Sequence, residues 1–318
     1  MTQKASIILT GAGGQVGTEL THRLRAQYGP EAVLATDVRP LGGALAEEGP
    51  TEVLDVMDHH AFRALIEHHR PDQVYHLAAL LSATAEEKPQ LGWKLNMESL
   101  LTVLELARAG YIGRVFWPSS IGAFGPNTPK DETPQYTIMD PTTVYGITKL
   151  AGERWCQWYH RQFNVDVRSL RYPGLISYNT QPGGGTTDYA VHIFIEALHR
   201  AHYESFLSAE TRLPMMYMDD AIRATLELMH APGEGLRIRD SYNLAGLSFT
   251  PSELAEAIRS HISSFDISYA PDRRQQIADS WPRSIDDHIA REDWGWQPEY
   301  DLERLVATML EGCQTIKL

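Results

Sequence analysis

The sequence is poor in cysteine and has no long apolar run. Cys156 and Cys313 are its two cysteines among 318 residues, and they form no metal-binding or redox motif. Unpaired thiols are typical of a reducing compartment. No apolar stretch is long enough to span a bilayer, and the chain enters a strand pattern at Ala5 without the features of a secretory signal. We therefore expect a cytoplasmic protein.

Positive charge is also scarce, and the histidines form no metal-binding pattern. The chain carries 28 Lys and Arg against 41 Asp and Glu, a formal net charge of -13. A nucleic-acid surface needs clustered positive charge, so we expect no nucleic-acid partner and no membrane partner. Four histidines (His59, His60, His68 and His69) form adjacent pairs that do not share a helix face. We therefore expect a solvated surface there and no metal site.

A glycine-rich turn follows the first apolar run. The run Ser6–Thr10 predicts a strand and leads into Gly11–Gly17, whose sequence is GAGGQVG; apolar residues then recur at helical spacing. Strand, glycine turn and helix in this order are the context of a dinucleotide fingerprint. In that fingerprint Gly11 permits the tight turn, Gly14 lets backbone N–H groups approach the pyrophosphate, and Gly17 allows close helix packing.

The end of the next predicted strand indicates which dinucleotide binds. The stretch Ala32–Val38 contains Asp37, twenty residues after Gly17. A carboxylate at this place accepts hydrogen bonds from the adenosine ribose and repels a 2′-phosphate. Asp37 could instead be an ordinary turn residue, and Arg39 could approach a 2′-phosphate, but the placement favours NAD over NADP.

Strand and helix patterns alternate along the rest of the chain. The strand Glu52–Val56 would place Asp55 and Val56 beside the adenine, and a later strand leads into Ser119 and Ser120. This alternation predicts an α/β fold with a Rossmann-type doubly wound parallel sheet. We expect an NAD-binding domain over residues 1–173, its sheet completed by later segments. A smaller C-terminal α/β substrate lobe would occupy mainly residues 174–318, interleaved with that domain.

Tyr145 and Lys149 are the first candidates for catalysis. Residues four apart on a helix lie on one face, one turn from each other. A free phenol has a pKa near ~10, so a tyrosine base needs help, and an ammonium one turn away favours the phenolate. Such pairs also occur by chance on solvated helices. The dinucleotide signature and the hydroxyls of Ser119 and Ser120 give this pair its weight.

Together these features resemble the extended short-chain dehydrogenase/reductase superfamily. Within it, the chain is similar to the L-threonine 3-dehydrogenases that share the fold of UDP-galactose 4-epimerase. The narrower resemblance rests on PSSIGAFGP (118–126), TPQYTIMDP (133–141), RYPG (171–174), QPGGGTTDY (181–189), TRLPMMY (211–217) and WGW (294–296). These segments extend it to nearly the whole chain. Phe124 departs from the tyrosine of many epimerases, and we expect no catalytic consequence.

The resemblance implies NAD-dependent, metal-independent oxidation of L-threonine at its 3-hydroxyl to 2-amino-3-oxobutanoate. Tyr145 would remove the hydroxyl proton as hydride leaves Cβ for the nicotinamide. Lys149 would hold the nicotinamide ribose and lower the pKa of Tyr145, so the rate should rise with pH at a pKa below that of free tyrosine. Ser120 would hydrogen-bond the reacting oxygen, with Ser119 as the open alternative.

The resemblance also implies which residues contact the two ligands. Cofactor contacts are expected from Gly11, Gly14, Gln15, Val16, Gly17, Asp37, Asp55, Val56, Leu77, Ala78, Ala79, Asn96, Ser119, Tyr145, Lys149, Tyr172 and Leu175. Substrate contacts are expected from Leu80, Ser82, Ser120, Tyr145, Gly184, Thr186 and Trp281. Ser82 and Thr186 would meet the amino and carboxylate groups of the substrate.

Two other functions stay open on the sequence. A nucleotide-sugar epimerase or dehydratase on the same scaffold needs basic side chains for a diphosphate. The second lobe contains such side chains in Arg200, Arg212, Arg273, Arg274 and Arg283. A redox-sensing binding protein would keep the cofactor fold without chemistry. Such proteins usually lose the tyrosine or the lysine, and both are present here.

The helices Leu95–Ala109 and Tyr145–Gln162 predict how the protein assembles. Both are long and rich in apolar residues. We expect a homodimer, the usual state in this superfamily, in which the two helices pair with their copies in a four-helix bundle. Burial within one chain is the alternative explanation for part of each apolar face.

Overall fold

The computed structural model describes residues 5–179 and 185–315. Gly184, an expected substrate contact, lies outside the described residues. The strands are β1 (Ile7–Thr10), β2 (Val33–Asp37), β3 (Thr51–Val53), β4 (Gln73–His76), β5 (Arg114–Phe116), β6 (Ser119–Ser120), β7 (Val167–Arg168), β8 (Leu170–Tyr172), β9 (Gly174–Ile176), β10 (His202–Ser205), β11 (Leu213–Tyr217), β12 (Tyr242–Asn243), β13 (Leu247–Phe249) and β14 (Asp266–Tyr269).

Helices connect most of these strands. They are α1 (Gln15–Tyr28), α2 (Ala44–Glu47), α3 (His59–His69), α4 (Ser82–Glu87), α5 (Pro89–Trp93), α6 (Ser99–Arg108), α7 (Val144–Phe163), α8 (Tyr189–Arg200), α9 (Met218–His230), α10 (Pro251–Arg259), α11 (Arg273–Ser280), α12 (His288–Trp294) and α13 (Leu302–Thr315). A π-helical turn, Lys94–Glu98, joins α5 to α6.

The main sheet has six parallel strands in the order β3-β2-β1-β4-β5-β7. Because β1 lies between β2 and β4, the chain winds in opposite directions from it. The carboxyl ends around β1 are therefore a switch point, where such sheets bind ligands. Thr10 at the end of β1 pairs with Thr36 and His76, so these three strands end at one level. The predicted Rossmann-type α/β fold is confirmed.

Alternating side chains of the sheet build a core on each face. Ile8 faces α3 and α6, while Ile7 and Leu9 face α1 and α9. A third core belongs to the C-terminal part of the chain, where α8, α10 and α13 pack on the small sheet β13-β11-β9. The boundary between residues 173 and 174 stays a prediction.

The short strands β6 and β8 belong to a separate three-stranded sheet, in the order β12-β8-β6. They pair in parallel, with Ser119 opposite Arg171 and Ser120 opposite Tyr172. The other edge of β8 pairs with β12. The two serines that follow β5 are thereby fixed in a short strand that lies beside α7.

Two segments differ from what their local sequence predicts. The sequence that follows β4 predicts a loop from Leu80 to Gln90, but the segment forms α4 and the start of α5. Asp219 or Asp220 is a typical helix cap by residue type, but α9 begins at Met218 after Tyr217. Asp220 instead accepts hydrogen bonds from the backbone N–H groups of Glu299 and Tyr300. Thr250 and Glu253, whose spacing predicts a capping box, form one at the start of α10.

Candidate active site

The glycine turn lies against the N-terminus of α1. Gly11 has a φ of 72°, and a Cβ on Gly17 would lie 2.3 Å from the carbonyl oxygen of Gly11. Any larger residue at Gly17 would therefore force α1 away from β1. No side chain caps the first turn of α1, so its backbone N–H groups are available to an anion such as a pyrophosphate.

Asp37 lies at the end of β2, beside this turn. Its carboxylate accepts hydrogen bonds from the backbone N–H of Gly13 at 3.0 Å and of Arg39 at 3.2 Å. These bonds hold the carboxylate beside the glycine turn, where a ribose hydroxyl can reach it. The side chain of Arg39 lies on the same cavity wall.

A cavity of about 560 Å³ runs from Asp37 to Tyr145. This volume is within the range of small-molecule and cofactor sites. Every expected ligand contact in the described part of the chain lines it, with the exception of Asn96. Arg39, considered above for a 2′-phosphate, lines it too, and so do residues that were not expected as contacts: Gly13, Val38, Leu54, Leu81, Leu95, Pro118, Gly185, Thr187 and Asp188. Most adjoin an expected contact in sequence, which is the signal that could have found them.

Asn96 lies behind the cavity wall. It belongs to the π-helical turn, and its side chain binds both backbone groups of Leu80: the N–H at 2.8 Å and the carbonyl oxygen at 3.1 Å. It also donates to the Thr148 hydroxyl on α7 at 3.2 Å. Asn96 thus supports the strand-end loop that carries Leu80 and Ser82.

Tyr145 lies beside Ser120 because two segments approach each other closely. Thr143 caps α7 through the N–H of Gly146, and a Cβ on Gly146 would lie 2.2 Å from the carbonyl oxygen of Gly122. The first turn of α7 therefore packs on the residues that follow Ser120. Burial raises the pKa of Tyr145 to about 12, and a hydrogen bond with Ser120 acts in the opposite direction.

This pKa differs from the expected one, which was below that of free tyrosine. The ammonium of Lys149 donates to the carbonyl oxygen of Pro118 at 2.6 Å and lies 4.7 Å from the centre of the Trp117 ring. Burial lowers the pKa of Lys149 to about 7. Desolvation of the phenol therefore outweighs any help from the lysine. The charge of Lys149 alone would lower the pKa of Tyr145, but the burial of both groups has the larger effect.

The two serines of β6 have different partners. The Ser119 hydroxyl donates to Glu153 Oε1 at 2.6 Å, inside the protein. The Ser120 oxygen accepts from the N–H of Gly122 at 3.1 Å and hydrogen-bonds Tyr145. Adjacent strand residues point to opposite faces, so Ser120 is the serine whose hydroxyl lies with the tyrosine.

In residues 5–179 and 185–315, no group of three or more His, Cys, Asp or Glu side chains could hold a metal ion. Within the same ranges, no helix is long and apolar enough to cross a membrane.

The fold and the site define a Rossmann-type enzyme that uses a nicotinamide dinucleotide. The glycine turn, the free N–H groups of α1 and the fixed Asp37 carboxylate fit the dinucleotide, while Tyr145, Lys149 and Ser120 form a polar group at the far end of the cavity. The NAD dependent epimerase/dehydratase family model matches residues 7–245, and the chain belongs to this family.

Similar proteins narrow the class. A GalE-like L-threonine dehydrogenase from Cupriavidus necator in its holo form is 56% identical, with a TM-score of 0.94 over 96% of this chain and 99% of that chain. Its apo form gives a TM-score of 0.83 over 97% of this chain and 99% of that chain, at 52% identity. The chain therefore resembles the holo form more than the apo form.

Two further proteins are similar along the whole chain. A monomeric L-threonine 3-dehydrogenase from a metagenome is 44% identical, with a TM-score of 0.93 over 97% of this chain and 98% of that chain. An uncharacterised epimerase/dehydratase of Staphylococcus saprophyticus is 50% identical over 310 residues, 97% of each chain. This chain is an NAD-dependent oxidoreductase of the family, with NAD as its cofactor.

Proposed function

We propose that this enzyme oxidises L-threonine at its 3-hydroxyl to 2-amino-3-oxobutanoate, without a metal ion. The main support is that Ser120 and Tyr145 lie side by side in the wall of the cavity that Asp37 also lines, where a hydrogen bond with Ser120 acts to lower the pKa of the tyrosine against the effect of burial. The similar enzymes from Cupriavidus necator and from a metagenome are L-threonine dehydrogenases, which agrees with a small alcohol as the substrate.

Each catalytic side chain has a distinct role in this proposal. NAD⁺, when bound, supplies the hydride acceptor and a positively charged ring. Tyr145 accepts the proton of the 3-hydroxyl as hydride leaves Cβ, and Ser120 hydrogen-bonds the same oxygen. Lys149 uses one N–H on Pro118 and keeps two for the ribose hydroxyls. General-base assistance of this kind is typically worth ~10²–10⁴-fold.

The substrate end of the cavity offers hydroxyls to a small polar ligand. The side chains of Ser82 and Thr186 line the cavity and form no hydrogen bond within the described residues. They are suited to the amino and carboxylate groups of threonine. Asp188 lines the same end and accepts from the N–H of Gly185 at 2.7 Å, and its charge favours an ammonium. Trp281 also lines the cavity.

The second-lobe arginines support threonine over a nucleotide sugar. Within the described chain none of them lines the cavity. Each is engaged by an acid: Arg200 with Glu196, Arg212 with Glu253, Arg273 with Glu87, Arg274 with Asp272 and Arg283 with Asp131. The diphosphate of a nucleotide-sugar substrate would therefore have none of these five arginines as a cationic partner.

A substrate panel tests this function. The enzyme is mixed with NAD⁺ and either L-threonine, L-serine, UDP-glucose or UDP-galactose, and reduced nicotinamide is followed by absorbance. We expect steady reduction with L-threonine that chelators do not abolish. Interconversion of the two UDP-sugars without net reduction would instead establish the epimerase. Loss of activity with a chelator and its return with zinc would contradict metal independence.

We also propose that the enzyme is a homodimer paired through α6 and α7. Ile147, Trp155 and Trp158 lie on one stripe of α7 and are 45%, 39% and 44% exposed. Leu91 and Trp93 of α5 add exposed apolar surface on the described chain. A twofold axis would cover this stripe with its own copy, as isologous interfaces do.

A further inference from the structure

A buried ion pair lies directly behind the catalytic residues. Glu153 and Arg171 are 0% and 1% exposed. Two hydrogen bonds join them, from Arg171 Nε to Glu153 Oε1 at 2.9 Å and from Arg171 Nη2 to Glu153 Oε2 at 2.8 Å. Such a pair costs several kcal/mol in desolvation, so its presence calls for a reason beyond packing.

Glu153 has a third partner, which leads to the active site. Its Oε1 also accepts from the Ser119 hydroxyl at 2.6 Å. Ser119 and Arg171 are register neighbours on β6 and β8, so the carboxylate binds both strands at one point. The next residue of β6 is Ser120, which points to the other face and toward Tyr145.

The carboxylate is itself held in place from the far side. Arg171 Nη1 donates to the carbonyl oxygen of Gln135 at 3.1 Å and to Asn243 Oδ1 at 2.9 Å. Glu153 also follows Tyr145 and Lys149 by whole turns on one face of α7. It therefore ties the catalytic helix to the strand end that carries Ser120.

We propose that Glu153 is a positioning residue that acts through Ser119 to aim the Ser120 hydroxyl at Tyr145. This rests on the proposed function only in that Ser120 and Tyr145 act on the substrate oxygen. The charge of Glu153 also raises the pKa of Lys149 against the effect of burial, which favours the ammonium.

This role is tested by removing the hydrogen bond between Ser119 and Glu153 while the ion pair of Glu153 with Arg171 stays intact. Ser119→Ala deletes one hydroxyl and leaves Glu153 paired with Arg171. Ser169→Ala is the matched control, because Ser169 is equally buried beside β8 and its hydroxyl bonds Ser241 at 2.9 Å. We expect Ser119→Ala to lower kcat about tenfold, the scale of one hydrogen bond. Ser169→Ala should keep kcat.

A double-mutant cycle separates positioning from a general structural effect. If Ser119 acts through Ser120, then adding Ser119→Ala to the Ser120→Ala variant should not lower kcat further. In the pH profile, both single variants should shift the rising limb to higher pH, because the phenolate loses a hydrogen bond. If Ser119→Ala folds poorly, Glu153→Asp takes its place, because it shortens the side chain and keeps the charge. It should show the same shift of the rising limb to higher pH.

Failure of this inference and failure of the proposed function give different results. A wild-type enzyme that does not reduce NAD⁺ with L-threonine would count against the proposed function. An active wild type would overturn the role of Glu153 if Ser119→Ala matched Ser169→Ala. Independent, multiplying losses in the Ser119→Ala/Ser120→Ala variant would overturn it as well.

Discussion

The Nζ atom of Lys149 lies 5.3 Å from the centre of the Tyr145 ring and donates to the carbonyl oxygen of Pro118 at 2.6 Å. Lysine and tyrosine are thus neighbours across one helical turn, yet the ammonium is anchored on a strand end. Ser120 lies beside Tyr145, and a hydrogen bond between the two side chains acts to lower the pKa of the tyrosine. Lys149 and Tyr145 are therefore held by separate partners, and substitutions should separate their effects.

Tyr145→Phe removes the proton acceptor and little else. Because the ring and its packing remain, NAD binding should stay near that of the wild type. Turnover should fall by ~10²–10⁴-fold, the usual value of general-base assistance. Steady-state kinetics together with cofactor titration by fluorescence measure the two effects. Near-normal turnover would show that another group takes the proton.

The rate of the wild-type enzyme should rise with pH. Burial raises the pKa of Tyr145 to about 12, so the phenol is protonated at neutral pH and its base form grows as pH increases. The positive charge of the oxidised nicotinamide lowers this pKa in the complex, so the rise should begin well below about 12. A kcat/KM profile that falls from neutral to alkaline pH would be inconsistent with a phenolate base.

The buried Lys149 should make stability depend on pH. Its pKa is about 7 in the folded chain and near ~10.4 when unfolded. Below about pH 7 the lysine is protonated in both the folded and the unfolded state, so the folded state bears the full cost of burying the charge. Between the two values the unfolded state binds more protons, and stability rises with pH.

Lys149→Met isolates this effect. The variant should be more stable than the wild type at low pH, and the difference should shrink toward about pH 10 because the buried charge is lost from the wild type. Thermal unfolding of both proteins without cofactor, over a pH series, measures the difference. A gap that is constant over the whole series would exclude a depressed lysine pKa.

Asp37 should set the choice of cofactor. Wild-type efficiency should favour NAD over NADP by about 10²-fold or more, since facing like charges cost several kcal/mol. Asp37→Ser should narrow this preference by improving use of NADP. Asp55→Asn, which removes a carboxylate from the same cavity wall, is the control and should leave the preference unchanged. Equal use of both cofactors by the wild type would refute the role of Asp37.

Trp158 on the exposed stripe of α7 tests the dimer. Sedimentation of the wild type at micromolar concentration should show a dimer, and Trp158→Glu should shift it to monomer by burying an unpaired charge. Tyr269→Glu introduces the same charge at a residue that is 37% exposed on β14 and should keep the dimer. A wild type that sediments as a monomer would refute the proposed pairing. The similar metagenome enzyme is described as monomeric.

The sequence was most informative where one residue type is physically required. Gly17 must be glycine to meet Gly11, and Asp37 must follow its strand, so both were placed from spacing alone. Tyr145 and Lys149 followed from helical periodicity. In each case the constraint is local and can be read from neighbouring residues.

Sequence reasoning failed where distant segments decide the outcome. The partner of Ser119 is Glu153, 34 positions away, so spacing could not show which serine faces Tyr145. The pKa of Tyr145 depends on burial by the whole fold. The acids that engage Arg212 and Arg283 are likewise far away in the chain, so the sequence could not show that these arginines are paired.

The central claim is that hydride leaves Cβ of L-threonine for NAD⁺. Incubation with L-threonine deuterated at C3, followed by NMR of the nicotinamide, tests it most directly. Deuterium is expected at C4 of the reduced ring, in amounts equal to the threonine consumed, and Tyr145→Phe should transfer it ~10²–10⁴-fold more slowly. Reduced nicotinamide without deuterium, or UDP-sugar interconversion with threonine unchanged, would contradict it.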